Sequence, residues 1–180
     1  MTIEDIFPRI EWLERWKTER NSFAYKTCLV FNKSTFPLVC KQLSDCNDLA
    51  YISIECSNDL VAAHRIQDNN HYLEPSDHVL NIDFDDVEED RPNCHAITEE
   101  QGKILYDFIK QQVEDRRHFI IHCNAGRSRS QGVARAIYDI FNEQYKPNGY
   151  NNFNPCQTPN QAVVAAIKKP AWKENFRSCD

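Results

Sequence analysis

The sequence predicts an α/β domain with a mainly parallel central sheet flanked by helices. Three observations carry that expectation. Short runs rich in β-branched and aromatic residues alternate with longer amphipathic segments. Two helix starts carry capping-box sequences, Thr98-Glu99-Glu100-Gln101 and Thr158-Pro159-Asn160-Gln161. The apolar run His118 to His122 leads through a short polar loop into an amphipathic helix, as in a β-loop-α unit.

Taken in order, Pro8 to Arg20 reads as an amphipathic helix, with Ile10, Leu13 and Trp16 at near-helical spacing and Pro8 in its first turn. Ala24 to Phe31, Leu49 to Cys56 and His78 to Phe84 read as strands. In the last of these, Leu80, Ile82 and Phe84 share one face. Residues 57 to 77 are polar and predict a short helix among loops. Thr98 caps a helix whose apolar stripe is Ile104, Leu105, Phe108, Ile109 and Val113. After the strand at 118 to 122, a helix from Ser130 carries Val133, Ile137, Ile140 and Phe141 on one side. It ends before the Lys-Pro-Asn-Gly turn at 146 to 149, and a final helix opens at Thr158 with Pro159 at its first position. Lys168-Lys169 falls in its last turn, where cations suit the helix dipole. Arg116-Arg117 reads as a solvated helix end. A length of 180 residues suits one domain over 1–180: an N-terminal helical extension (1–23), a core (24–168) and a tail (169–180).

Composition narrows the function classes. Hydrophobic residues make up 41% and charged residues 27%, which excludes wholesale disorder. The net charge of −6 argues against broad nucleic-acid binding, while leaving room for a local basic pocket. The longest apolar runs fall far short of a membrane span, and the acidic, aromatic start lacks the pattern of a signal peptide. A soluble, cytoplasmic protein with no membrane partner is expected. Eight cysteines at irregular spacing, without a Cys-x-x-Cys pair, read as free thiols in a reducing compartment. His64, His71, His78, Cys94 and His95 form no compact zinc-ligand unit, so no metal site is expected. Cys56, at the end of a predicted strand, reads as a buried thiol or as a reversible disulfide partner of Cys123.

The chemistry is concentrated in His122-Cys123-Asn124-Ala125-Gly126-Arg127-Ser128-Arg129-Ser130. A loop between a buried strand and a helix turns several backbone N–H groups and a helix N-terminus toward one point, which suits an anion. Gly126 lets the backbone curl around that point. A cysteine at the mouth of such a cradle lies where the positive helix end favours a thiolate. Arg129 supplies a planar fork of donors matched to two phosphate oxygens.

This segment resembles the His-Cys-x5-Arg-Ser/Thr signature of the cysteine-dependent protein tyrosine phosphatases, in the dual-specificity-like form. The resemblance is strong over 118–141 and looser over 78–117. It implies that Cys123 attacks phosphorus to form a cysteinyl-phosphate. It implies that Arg129 and the amides of Asn124, Ala125, Gly126, Arg127 and Ser128 bind the non-bridging oxygens. Ser130 would hydrogen-bond the sulfur and help it leave, and His122 would shape the loop. No metal or other cofactor is required, and phosphate or sulfate is expected to sit in the loop. The family also uses an Asp, on a loop after an upstream strand, to protonate the leaving oxygen. Asp83 lies within a predicted strand, whereas Asp85 and Asp86 lie just past its carboxyl end. The family's strand-and-Asp pattern places the acid at Asp86, with Asp85 second. Six of the eight residues from Asp83 to Asp90 are acidic, which fits an acid-bearing loop and equally a solvated charged one.

Arg127 bears on substrate choice: it either adds positive charge at the pocket or turns away to solvent or the acidic loop. The resemblance implies hydrolysis of phosphotyrosine in proteins, with phosphoserine or phosphothreonine also accepted in a shallow pocket. The alternatives are a phosphoinositide, inositol-phosphate or RNA 5′-phosphatase, and a phospho-binding module that does not catalyse.

Overall fold

The computed structural model describes residues 12–64, 70–146 and 158–177. The described elements are α1 (12–19), β1 (Cys28–Asn32), α2 (Phe36–Gln42), β2 (Leu49–Glu55), α3 (Asn58–His64), β3 (Val79–Asp83), α4 (Glu99–Glu114), β4 (His118–Cys123), α5 (Arg129–Ile140) and α6 (Gln161–Arg177). The four strands form one sheet in the order β1-β4-β2-β3, and every pairing is parallel. The predicted α/β class with a parallel sheet between helices is the observed one.

Side-chain alternation along the strands assigns each face a partner layer. Cys28, Val30, Ala50, Ile52, Ile54, Phe119 and Ile121 point to one side and pack against α4, α5 and α6 through Leu105, Ile109, Val133, Ile137, Val163 and Ile167. Leu29, Phe31, Leu49, Tyr51 and Ile120 point to the other and meet Leu13 and Trp16 of α1 and Phe36 and Val39 of α2. The N-terminal helix therefore seals a sheet face rather than standing apart. Helices α4 and α6 approach closely enough that a Cβ on Gly102 would lie 2.5 Å from the carbonyl oxygen of Ala166; only glycine fits there.

Several boundaries differ from the sequence reading. Strand β1 begins at Cys28 because Lys26 instead forms an isolated bridge with Tyr145. Helix α2 was not expected; its seven residues are too few for a periodic pattern, and Pro37 near its start is its main local signal. The Thr98 capping box forms as read, with Thr98 and Gln101 satisfying each other's backbone N–H groups. Ile104, assigned to the apolar stripe of that helix, is 46% exposed, and Tyr106 takes the buried position. Helix α6 starts later than predicted: Asn160, not Thr158, accepts the hydrogen bond from Val163 N (3.1 Å) and caps the helix. It also runs through Pro170 to Arg177, so the expected tail from 169 continues the helix. Lys168 consequently lies mid-helix and pairs with Asp139 at 3.0 Å, while Lys169 pairs with Glu99. Arg117 is held by the carbonyls of Asn47 and Leu49 rather than free in solvent. Pro8, Ile10 and the 147–157 stretch lie outside the described residues. No helix among the described residues is long and apolar enough to cross a membrane.

Candidate active site

All four strands run the same way, so their carboxyl ends share one edge of the sheet. That edge carries Asn32, Glu55, Asp83 and Cys123, with Asn32 in register with Cys123 and Glu55 with Asp83. Loop 124–128 leaves β4 here and turns into α5. Its turn depends on Gly126, whose φ is +67°, and a Cβ at this position would lie 2.8 Å from the carbonyl group of Phe31. Both the positive φ and the approach to β1 select glycine. Lys33 N donates to Asn124 O (3.1 Å) and Gln131 Nε2 to Gly126 O (3.3 Å), fixing the loop from either side. The first amides of α5 have no partner within the helix, as at any helix start.

Cys123 is 2% exposed, and its Sγ lies 3.1 Å from Ser130 Oγ on the first turn of α5. Arg129, also buried, is aimed by backbone: one terminal nitrogen donates to Glu55 O (2.8 Å) and Phe84 O (2.7 Å), joining the ends of β2 and β3. The second terminal nitrogen lies 4.0 Å from Cys56 Sγ, and Nε has no hydrogen-bond partner among the described residues. A buried guanidinium with donors to spare can accept an oxyanion, which would offset the cost of burying its charge. Burial raises the Cys56 thiol, an effect the Arg129 charge offsets in part. The six described cysteines are all free thiols.

The acidic segment separates into distinct roles. Asp85 is 1% exposed and accepts hydrogen bonds from Ser57 N (2.9 Å), Ser57 Oγ and His95 N (2.8 Å). Its carboxylate is consumed in tying three chain segments together. Asp86 is exposed and leans over the loop, where its Oδ1 accepts from Ser128 Oγ (2.6 Å) and Asn160 Nδ2 (3.2 Å). Asn160 also donates through Nδ2 to Val87 O and through its backbone N to Ser128 O. This residue holds the Asp86 loop, the 124–128 loop and the start of α6 together, and the sequence reading missed it. Its local signal is a helix-capping Asn, which says nothing about a partner 74 positions away. Asp83 turns from this group and accepts from His71 Nε2 at 2.8 Å.

His122 faces the opposite side of β4 from Cys123. Its ring packs on Phe36, with centroids 4.0 Å apart, and its Nε2 lies 2.6 Å from Ser53 Oγ. Burial lowers its pKa to about 3, with the charges of His71 and Lys33 acting in the same direction. It is therefore neutral at physiological pH.

A cleft of about 820 Å³ opens beside the loop, between Lys33, Phe36, Glu55, His71, Tyr72 and Arg127. Buried Glu55 pairs with Lys33 at 3.0 Å; burial raises its carboxyl, opposed by that ion pair. Arg127 is exposed on the cleft wall and, among the described residues, forms no ion pair with the 83–90 segment. Of the residues weighed for zinc, His71 pairs with Asp83 and His95 with Asp59.

No protein-family model matches the chain, and no curated protein matches it. Among solved structures it is similar to the human tyrosine phosphatase-like serine/threonine/tyrosine-interacting protein. Identity is 21%, the match covers 79% of this chain and 86% of that one, and the TM-score is 0.44.

Proposed function

We propose that the chain hydrolyses phosphate monoesters through a cysteinyl-phosphate on Cys123. One observation supports this above the others. A buried sulfur hydrogen-bonded to a hydroxyl, a buried guanidinium with spare donors and an exposed carboxylate, from separate parts of the chain, meet at the carboxyl edge of the sheet. In this reading the phosphate lies in the loop, its non-bridging oxygens on the amides of Asn124 to Ser128 and on Arg129 Nε and its second terminal nitrogen. These donors stabilise the charge that develops on the equatorial oxygens. The Cys123 thiolate attacks phosphorus, an S–P bond forms, and the bond from phosphorus to the leaving oxygen breaks. Asp86 transfers its proton to that oxygen through Oδ2, which carries no hydrogen bond from the described residues. Water then attacks the phosphoryl group, Asp86 takes the water's proton, and the S–P bond breaks. The Ser130 hydroxyl donates to the departing sulfur, so thiolate and inorganic phosphate result.

Phosphotyrosine in proteins is the substrate class we assign first, with phosphoserine and phosphothreonine accepted. Arg127 on the wall of the cleft, beside Lys33 and His71, favours a second reading, in which the substrate carries another anionic group next to the scissile phosphate. Phosphopeptides, phosphoinositides, inositol phosphates and 5′-phosphorylated RNA separate the two. Turnover of phosphotyrosyl peptide far below that of a multiply phosphorylated small substrate would replace the first assignment with the second.

The acid role has its own test. Asp86→Ala should slow turnover by about 10² to 10⁴ on substrates with poor leaving groups, and much less on activated aryl phosphates that depart without a proton. Asp85→Ala should instead lower thermal stability, because it removes the buried carboxylate that accepts from the backbone N–H groups of Ser57 and His95. Leaving-group-dependent loss in Asp85→Ala with none in Asp86→Ala would transfer the role.

A further inference from the structure

On the α1/α2 side of the sheet, a hydrogen-bonded chain runs from the cleft to the residue before the nucleophile. Ser53 of β2 and His122 of β4 are register partners on that face. Ser53 Oγ lies 2.6 Å from His122 Nε2 and 2.6 Å from His71 Nδ1, and His71 Nε2 lies 2.8 Å from Asp83 Oδ1. Ser53 and His122 are buried, while His71 lines the cleft with its side chain 19% exposed.

Proton counting restricts this chain to two arrangements. A carboxylate only accepts, so His71 Nε2 must carry a hydrogen. When His71 is neutral, its Nδ1 is bare and accepts the single hydroxyl hydrogen of Ser53. Ser53 Oγ must then accept from His122, which is the Nε2–H tautomer with a bare Nδ1. When His71 is protonated, its Nδ1–H donates to Ser53 Oγ, the hydroxyl turns to donate to His122 Nε2, and the neutral His122 must be the Nδ1–H tautomer. His122 Nδ1 is buried and makes no full hydrogen bond among the described residues; the adjacent Cys123 backbone favours a proton on this ring, and the 2.6 Å contact to Ser53 is its close polar side-chain partner.

We infer that His71 is a positioning residue that sets the tautomer of His122 through Ser53, so that gain or loss of a proton at the cleft inverts the dipole at His122 Nδ1, one residue from Cys123. The groups facing His71 are Asp83 at the end of β3, Glu55 at the end of β2, His122 on β4, and Lys33 and Arg127 on the cleft wall. The catalytic consequence rests on the reading of Cys123 as nucleophile; the tautomer coupling does not.

Long-range ¹H–¹⁵N spectra of ¹⁵N-histidine-labelled protein report each ring's tautomer directly. Across a pH series the His122 signal should pass from Nε2–H to Nδ1–H at the same pH at which the His71 signal shows its own ring gaining a second N–H. In His71→Ala the same signal should hold one tautomer throughout. Ser53→Ala cuts the link while leaving His71 in place and should do likewise; His71→Ala, at a partly exposed site, keeps the test available if the buried substitution impairs folding. A wild-type His122 fixed in one tautomer, or a transition that persists in His71→Ala, would overturn the inference. These readouts require no turnover, so the relay and the phosphatase reading fail separately.

Discussion

Replacing Cys123 with serine is expected to abolish hydrolysis of a small aryl phosphate, with a fall in kcat on the order of 10⁵ or more. The exchange is nearly isosteric, so the contact to Ser130 Oγ and the turn at Gly126 persist. What disappears is the sulfur that the proposed mechanism uses as nucleophile; a serine hydroxyl there would need a base, and Ser130 offers only another hydroxyl. The variant should still bind inorganic phosphate, because the loop amides and Arg129 are intact. That combination separates catalysis from binding. A wild-type protein that binds phosphopeptide without ever hydrolysing it would make the chain a phospho-binding module. Full activity in Cys123→Ser would place the nucleophile elsewhere.

Arg129→Lys should lower kcat/KM by about 10³ to 10⁵, although charge is conserved. In the proposed mechanism the guanidinium has two tasks. One terminal nitrogen clamps the carbonyls of Glu55 and Phe84, while Nε and the other terminal nitrogen, which lies 4.0 Å from Cys56 Sγ, would turn to the substrate. A single ammonium cannot span both directions, nor offer a planar pair of donors to two oxygens. Lysine that satisfies the carbonyls abandons the phosphate; lysine that reaches the phosphate strands two buried acceptors, each a loss of about 1–3 kcal/mol in stability. Steady-state kinetics beside a thermal melt resolves the alternatives. A variant within tenfold of wild type in kcat/KM would show that the fork is not used for the oxyanion.

The contrast between what the sequence discloses and what it conceals follows chain distance. The segment 122–130 is readable because strand end, loop and helix start are contiguous, so one short stretch specifies its own turn. The Thr98 capping box is readable for the same reason. Asp85 and Asp86 are indistinguishable by position, since both follow β3. The family resemblance ranks Asp86 first, but physically they separate through partners elsewhere in the chain: Ser57 and His95 claim Asp85, Ser128 and Asn160 claim Asp86. Ser53 looks like any small residue in a buried strand until the parallel register sets it beside His122. Arg127 gains meaning from the cleft, whose walls come from β1, β2 and the segment around His71. Helix α2 and the late start of α6 depend on tertiary packing of seven-residue and capping segments too short to announce themselves.

The central claim is a covalent bond between sulfur and phosphorus, and it is open to direct observation. In Ser130→Ala the thiolate loses its hydroxyl donor, so breakdown of the intermediate slows more than its formation. Acid quenching of that variant during turnover of an aryl phosphate, followed by peptide mass analysis, should find one phosphoryl group on the peptide bearing Cys123. Cys123→Ser treated identically should carry none. Sustained release of inorganic phosphate with Cys123 unmodified at every time point, or a phosphoryl group on a different residue, would contradict it.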